Sequence, residues 1–263
     1  DGSGDQDGTL NFNINNPFLT EQNRQVLRTL GVEDFVLSRS SRDLAGNNSG
    51  ADTNLWRGVF GLQGDFDAAG RNFKWEASVD HGEGNFDYYG TGLIQQNFIN
   101  AINVTRNGTG QIVCDNTAAG TTVDPACVPL NLFGEGVASQ AARRYVTTPT
   151  HAQAQMKQTV FNANITGALL DLPGGELRFN AGYERRKEQG SFTPSEFERL
   201  GLGRSVATEP AAGQYTTNEY FGEMLAPLVN RDANIPGLHR LDVTGKIRRV
   251  ENTVNGWFSA YTY

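Results

Sequence analysis

Glu219 and Glu223 stand four residues apart in a stretch that alternates like a strand, a spacing that puts both carboxylates on one face. A partner stretch carries Asp242, Lys246 and Arg248 at matching spacing. Two carboxylates set close together can run acid–base hydrolysis of a glycosidic bond. With lysine and arginine opposite, the same groups form cross-strand ion pairs of modest energy. The ion-pair reading is preferred, and a secreted β-sandwich glycosidase is kept as the alternative. Cys114 and Cys127 lie in a polar stretch, neither in a Cys-x-x-Cys pair, and His81, His151 and His239 are distant from them and from each other. That pattern argues against a zinc site. A disulfide closing the loop is expected, and with it an oxidising compartment; two unrelated thiols are the other reading. The opening DGSGDQDG lacks the acidic residue and the glycine turn that an EF-hand needs, and reads as a solvated turn. There is no Gly-x-Ser-x-Gly elbow, no phosphate-binding glycine loop ending in Lys-Ser/Thr and no His-Glu-x-x-His. No catalytic residue, metal or cofactor is therefore expected, and the chain is not read as an enzyme.

The 263 residues carry 22 Lys plus Arg against 29 Asp plus Glu, a net charge of −7. An acidic chain of this kind is a poor partner for nucleic acid, which needs clustered basic residues. Mean hydropathy is −0.46, with 31 glycines and abundant Asn and Thr. The mix suits strands and turns. No run approaches the roughly 18 to 20 apolar residues of a membrane helix. Barrel strands need only about 9–11 residues with one polar face, so a membrane remains open. No signal peptide is visible, and a mature or truncated N-terminus is expected.

The elements follow from periodicity. Thr20, Glu21 and Gly31 bracket a short helix over 21–30. Period-two alternation gives a hairpin from Leu55 to Asp80: Trp56, Phe60, Leu62 and Phe66, then Phe73, Trp75 and Val79, share one face. A second hairpin places Phe161, Ala163 and Ile165 with Leu177, Phe179, Ala181 and Tyr183 about the turn Leu172-Pro173-Gly174-Gly175. A third joins Tyr215–Val229 to Leu238–Val250, and a last strand starts at Val254. Between the first two, residues 82–152 read as one long loop with a weak helical period over Leu93–Val104 and a short helix capped by Ser139. Thr193-Pro194-Ser195-Glu196 reads as a capping box opening a brief helix. The expected class is all-β, an antiparallel meander of about eight long strands with short turns alternating with long loops.

Several dispersed stretches resemble TonB-dependent outer-membrane receptors. They are Asn-Asn-Pro-Phe-Leu (15–19) with Phe35–Arg39 and Asp43, and Cys-Val-Pro-Leu-Asn-Leu-Phe-Gly (127–134) with Ser139 and Tyr145-Val146. Others are Gln158 with Asn164–Gly167, Ala181–Arg186, Asn218–Glu223 with Ala226–Val229, and Leu241–Arg248. The resemblance implies a bacterial outer-membrane location, contact with outer-membrane lipid, and a barrel of about 22 strands around an N-terminal plug. It implies import of a scarce small molecule or oligosaccharide, such as a siderophore, vitamin or metal complex, driven through TonB. On that reading residues 1–263 are part of the barrel domain, without plug and without either chain end, and TonB would engage the missing N-terminal part. Phe86, Tyr88, Tyr89 and Phe133 become candidates for stacking on ligand. Glu219, Glu223, Asp242, Lys246 and Arg248 become lumen-facing charges. The competing expectation is a soluble or surface-layer β-rich adhesin or lattice protein, whose apolar faces would pack on each other.

Overall fold

The computed structural model describes residues 10–45, 49–115 and 124–262; the DGSGDQDG turn lies outside them. In chain order the elements are β1 (Leu10–Asn13), α1 (Glu21–Thr29), β2 (Asp34–Leu37), α2 (Arg42–Ala45), β3 (Gly50–Ala68) and β4 (Arg71–Leu93). Then come α3 (Gln95–Ile102), β5 (Val104–Arg106), β6 (Ile112–Cys114), α4 (Gln140–Val146), β7 (Thr147–Leu172) and β8 (Gly175–Thr193). The chain closes with α5 (Glu196–Arg199), β9 (Ala211–Val229), β10 (Leu241–Asn252) and β11 (Gly256–Thr262). Seven strands form one antiparallel sheet in the order β11-β10-β9-β8-β7-β4-β3, and β1-β2 and β5-β6 are separate two-stranded sheets. The mostly-β, antiparallel expectation is met.

Two boundaries differ from the sequence reading. β4 runs on to Leu93 and β7 begins at Thr147, so the irregular connection is 94–146 rather than 82–152. The alternation fades there because glycines 82, 84, 90 and 92 interrupt it and polar residues take over the formerly apolar positions. The cap of α5 is Ser195, not Thr193. Ser195 Oγ accepts from the Glu198 N–H, and Glu198 Oε2 accepts from the Ser195 N–H. Two overlapping Ser/Thr-x-x-Glu frames exist in the sequence, and the first is consumed by β8, which extends through Thr193.

The chain divides into two compact units, residues 1–52, 87–153 and 193–210, and residues 53–86, 154–192 and 211–263. The first has an apolar core: Leu130, Leu132, Ala101, Ala142 and Val146 are buried, with Phe12 and Leu44. Thr20 and Ser139 cap their helices as expected, accepting from Asn23 N (3.2 Å) and Ala142 N (3.0 Å). The disulfide Cys114–Cys127 is formed. It joins β6 to the segment whose Leu130 N–H donates to Ala101 O at 2.8 Å, tying the 127–134 stretch to the end of α3.

The second unit is different in kind. Its buried side chains are few, Ala168, Val250 and Thr217 among those described, and Trp56, Phe60, Leu62, Phe66, Trp75, Val79, Phe161, Met224, Ile247 and Trp257 are exposed. One face of its strands is apolar and carries rows of rings: Phe66–Phe73–Phe179 (5.5 and 6.1 Å) and Phe161–Tyr183–Tyr220–Trp257 (6.3, 5.1 and 6.4 Å between centroids). Polar pairs bracket the apolar band where β4 meets β7. Arg71 bonds Asp171 at 2.5 Å at one end, and His81 bonds Thr159 at 2.7 Å at the other, with Lys157–Glu83 at 3.4 Å beyond it. Arg71 to His81 is ten residues of strand, about 33 Å at 3.3 Å each. The opposite face is charged, with Arg57 bonded to Asp80 and Asn164 Nδ2 donating to Glu76 Oε1 at 2.6 Å.

Hairpin turns set the register. β3 and β4 are joined by Ala69 and Gly70 alone, both at positive φ (53° and 75°). That is the geometry that matches strand twist, and it favours glycine or asparagine at both positions. Ala69→Gly is expected to raise the free energy of unfolding by up to about 1 kcal/mol, read as a higher denaturant midpoint; an unchanged or lower midpoint would count against this turn geometry.

Candidate ligand site and charged face

The first unit contains a cavity of about 520 Å³. Its walls come from four stretches of the chain: Leu10, then Arg39 and Ser41, then Leu93, Phe98 and Ile99, then Phe197 to Thr208. Its lining mixes apolar side chains with polar and charged ones such as Arg39, Gln95, Glu198 and Arg204, and its size suits a small molecule. Phe197 is its central ring. A Cβ added at Gly92 or at Gly203 would come within 2.8 Å of that ring, so both positions must stay glycine for the phenyl to sit where it does. The capping box of α5 and the Gln95 N–H to Leu202 O bond (2.9 Å) hold the 195–203 turn against the start of α3.

Arg39 on the cavity wall is held from behind. Its Nη2 bonds Asp43 Oδ1 at 2.5 Å and its Nη1 donates to Leu132 O at 3.1 Å. Asp43 Oδ2 accepts from the Gly136 N–H at 2.9 Å. Both charged side chains are largely buried, 11% and 8% exposed. Burial pushes the Asp43 carboxyl up, but the Gly136 N–H and the Arg39 guanidinium together outweigh it and hold it below the ordinary range. Across the same unit Tyr145 OH donates to Asp124 Oδ2 at 2.7 Å, and Asn97 Nδ2 donates to Tyr145 O at 2.7 Å. Asp124 is held low by the Tyr145 hydroxyl and the Ala126 N–H, and burial pushes the Tyr145 phenol up. A separate cleft of about 670 Å³ is polar, lined by Asn11, Asn13, Arg24, Arg28 and Arg106. Its arginines are already engaged: Arg24 and Arg28 with Glu21, Arg106 with Gly110 O and Pro17 O.

The four aromatic candidates are not brought together. Phe133 packs edge-on to Phe12 at 5.1 Å and against Phe35 at 6.1 Å, beside the core of the first unit. Tyr88 and Tyr89 are successive residues of β4, so they point to opposite faces, and both are half exposed. The Tyr89 ring fills the space a side chain at Gly50 would need. Phe86 belongs to the second unit, where it lines a depression with Leu55, Trp56 and Met156. The cavity about Phe197 carried no local sequence signal, because no two of its four stretches are neighbours in the chain.

Of the five expected charges, four pair as read. Lys246 lies directly opposite Glu223, Nζ to Oε1 2.9 Å, and Arg248 Nη1 reaches Glu219 Oε2 at 2.9 Å on the diagonal. Asp242 instead accepts from Arg240 Nε at 2.6 Å. Glu184, not singled out from sequence, lies opposite Glu219 and bonds Arg186 at 2.8 Å. The two facing carboxylates thus each carry their own guanidinium. Glu219 and Glu223 are four residues apart on one strand, about 13 Å, wider than the 6.5–9.5 Å or so between the two carboxyl groups of an inverting glycosidase. Among the described residues no group of three His, Cys, Asp or Glu could hold a metal ion. No described helix is long and apolar enough to cross a membrane. No protein-family model, no curated protein and no solved structure matches this chain.

Asp43→Asn is expected to loosen the first unit by about 3 kcal/mol, since it leaves a largely buried Arg39 without its partner. Faster amide exchange at 130–136 and 39–44 would report it. The wild-type pair should hold at neutral pH and weaken as acidification passes through the lowered Asp43 pKa, below the ordinary 3.8. The variant should show less of that acid dependence; equal acid loosening in both would remove Asp43 as its source.

Proposed function

We propose that this chain is part of the barrel of a TonB-dependent outer-membrane receptor, one that imports a scarce small molecule or oligosaccharide. The observation that carries this reading is the second unit's sheet. It exposes a broad apolar face bounded at both ends by polar pairs, while its other face is laced with ion pairs. Water suits only the charged face. With strands tilted by about 40°, the 33 Å or so of strand between Arg71 and His81 spans about 25 Å along a membrane normal, the height of the apolar band of an outer-membrane barrel. The aromatic row Phe161–Tyr183–Tyr220–Trp257 takes the place of an interfacial girdle.

Four of the six connections in the sheet support the same reading, whereas β9–β10 (230–240) and β10–β11 (253–255) do not alternate this way. β3–β4 and β7–β8 turn through two residues each, while β4–β7 and β8–β9 are joined by 94–146 and 194–210. Short periplasmic turns and long outer loops are the habit of such barrels. β3 and β11 are the outermost strands of the sheet. Open edges are not viable in lipid, so closure calls for further strands beyond these seven, toward a barrel of about 22. The cavity about Phe197 is the ligand-contact candidate, since long ordered loops are where such scaffolds carry recognition. Partners are then outer-membrane lipid, the imported ligand and TonB.

Single cysteines along β7 test the membrane reading. In outer-membrane preparations, Ala163→Cys and Ile165→Cys on the apolar face should resist a water-soluble maleimide, whereas Asn162→Cys and Asn164→Cys should label. Equal labelling of all four, with the protein in the soluble fraction, would sink the barrel and favour a soluble β-rich surface protein.

A further inference from the structure

Just past the aromatic row, the apolar face of the second unit turns basic. On β8 the positions that follow Phe179, Ala181 and Tyr183 on that face are Arg185 and Lys187. On β10 the same face carries Arg249, level with the aromatic row and one step below Arg185: it lies directly opposite Tyr220, which is itself opposite Tyr183. All three basic residues are exposed. Among the described residues none is in an ion pair. Arg185 Nη1 donates at 3.5 Å to Asn218 Oδ1, the same oxygen that accepts from Tyr183 OH at 2.8 Å. Arg249 lies 4.7 Å over the Trp257 ring, which steadies the guanidinium without neutralising it. Glu251 is level with Arg185 on the same face, across Asn218, and its carboxylate accepts from Asn218 Nδ2 at 3.0 Å. β8 and β10 are two strand spacings apart, about 10 Å, so one phosphate-bearing headgroup can bridge the cations while its acyl chains run down over Tyr183, Tyr220 and Met224.

We propose that Arg185, Lys187 and Arg249 form a binding site for the anionic phosphate of a membrane lipid headgroup, with the aromatic row as its floor. The inference rests on the membrane reading above and deepens it by naming the lipid class this arc of the sheet selects. Charge complementarity carries it: three unneutralised cations gather at the rim of an apolar band, in a chain whose net charge is −7. Arginine's planar fork suits a phosphate oxygen pair.

The test uses the whole receptor polypeptide of which these strands are part, with vesicles of phosphatidylcholine containing a minor fraction of phosphatidylglycerol, followed by native mass spectrometry of the lipids retained. Wild type should co-float with the vesicles and retain phosphatidylglycerol in preference. The triple variant Arg185→Gln, Lys187→Gln, Arg249→Gln should still co-float but lose that preference, by roughly five-fold for each charge removed. Lys246→Gln with Arg248→Gln, on the opposite face, should leave it unchanged. A co-floating triple variant with wild-type retention overturns the site. Loss of retention in both sets of variants makes the effect one of overall charge and also overturns it. Competition by free inorganic phosphate that abolishes retention would assign the site to a soluble anion instead. Failure of wild type to co-float would bring down the membrane reading itself, a separate result.

Discussion

A one-layer sheet has to be satisfied on both faces by something other than itself. Its backbone groups are paired strand to strand, but its side chains have no second layer to bury against. In the second unit the buried side chains are few and small, Ala168, Val250 and Thr217. An apolar band of Phe, Trp, Leu and Ile on one side and a lattice of ion pairs on the other then demand two different media. At about 25 cal/mol per Å² of apolar surface removed from water, covering that band would add to the stability of such a sheet.

The first unit obeys the opposite rule. It holds itself together by a core around Leu130 and Val146, a disulfide, three capped helices and a short list of buried polar bonds. Asp43 sits at the junction of these devices. It fixes Arg39 on a cavity wall and holds the Gly136 amide, so a single carboxylate links the end of α2 to the 132–136 turn. The cavity beside it is shaped by glycines, with Gly92 and Gly203 clamping Phe197. The cavity and the rigidity of the unit therefore rest on the same segments.

The sequence was legible where the physics is local. Alternation along 55–80 and 155–186 marked the hairpins, Thr20 and Ser139 marked helix starts, and the isolated cysteine pair marked the disulfide. Legibility failed where two rules overlapped or the signal reversed. Thr193 and Ser195 each open a Ser/Thr-x-x-Glu frame, and only the extent of β8 decides between them. From His81 onward β4 keeps its strand conformation while its apolar face becomes polar, so a pattern that equates strand with apolar alternation reads it as loop. Asp242 pairs locally because the residue directly across from it is Pro227, which offers no charge, while Arg240, two residues earlier in the chain, is within reach. The Phe197 cavity was invisible because its walls meet only in three dimensions.

The two-residue turns between β3 and β4 and between β7 and β8 have a further consequence, for assembly and ancestry. A hairpin closed by two residues makes its first contacts between near neighbours, so zipping can start early from the turn. Joining β4 to β7 must wait for the ends of 94–146 to meet, though the entropic cost of such a closure grows only slowly with length, about 0.6 kcal/mol per doubling. The sheet is thus built from prefabricated pairs docked edge to edge. A gene segment encoding one such pair could be copied or deleted without disturbing its neighbours' pairing, and every such event changes the strand number by two.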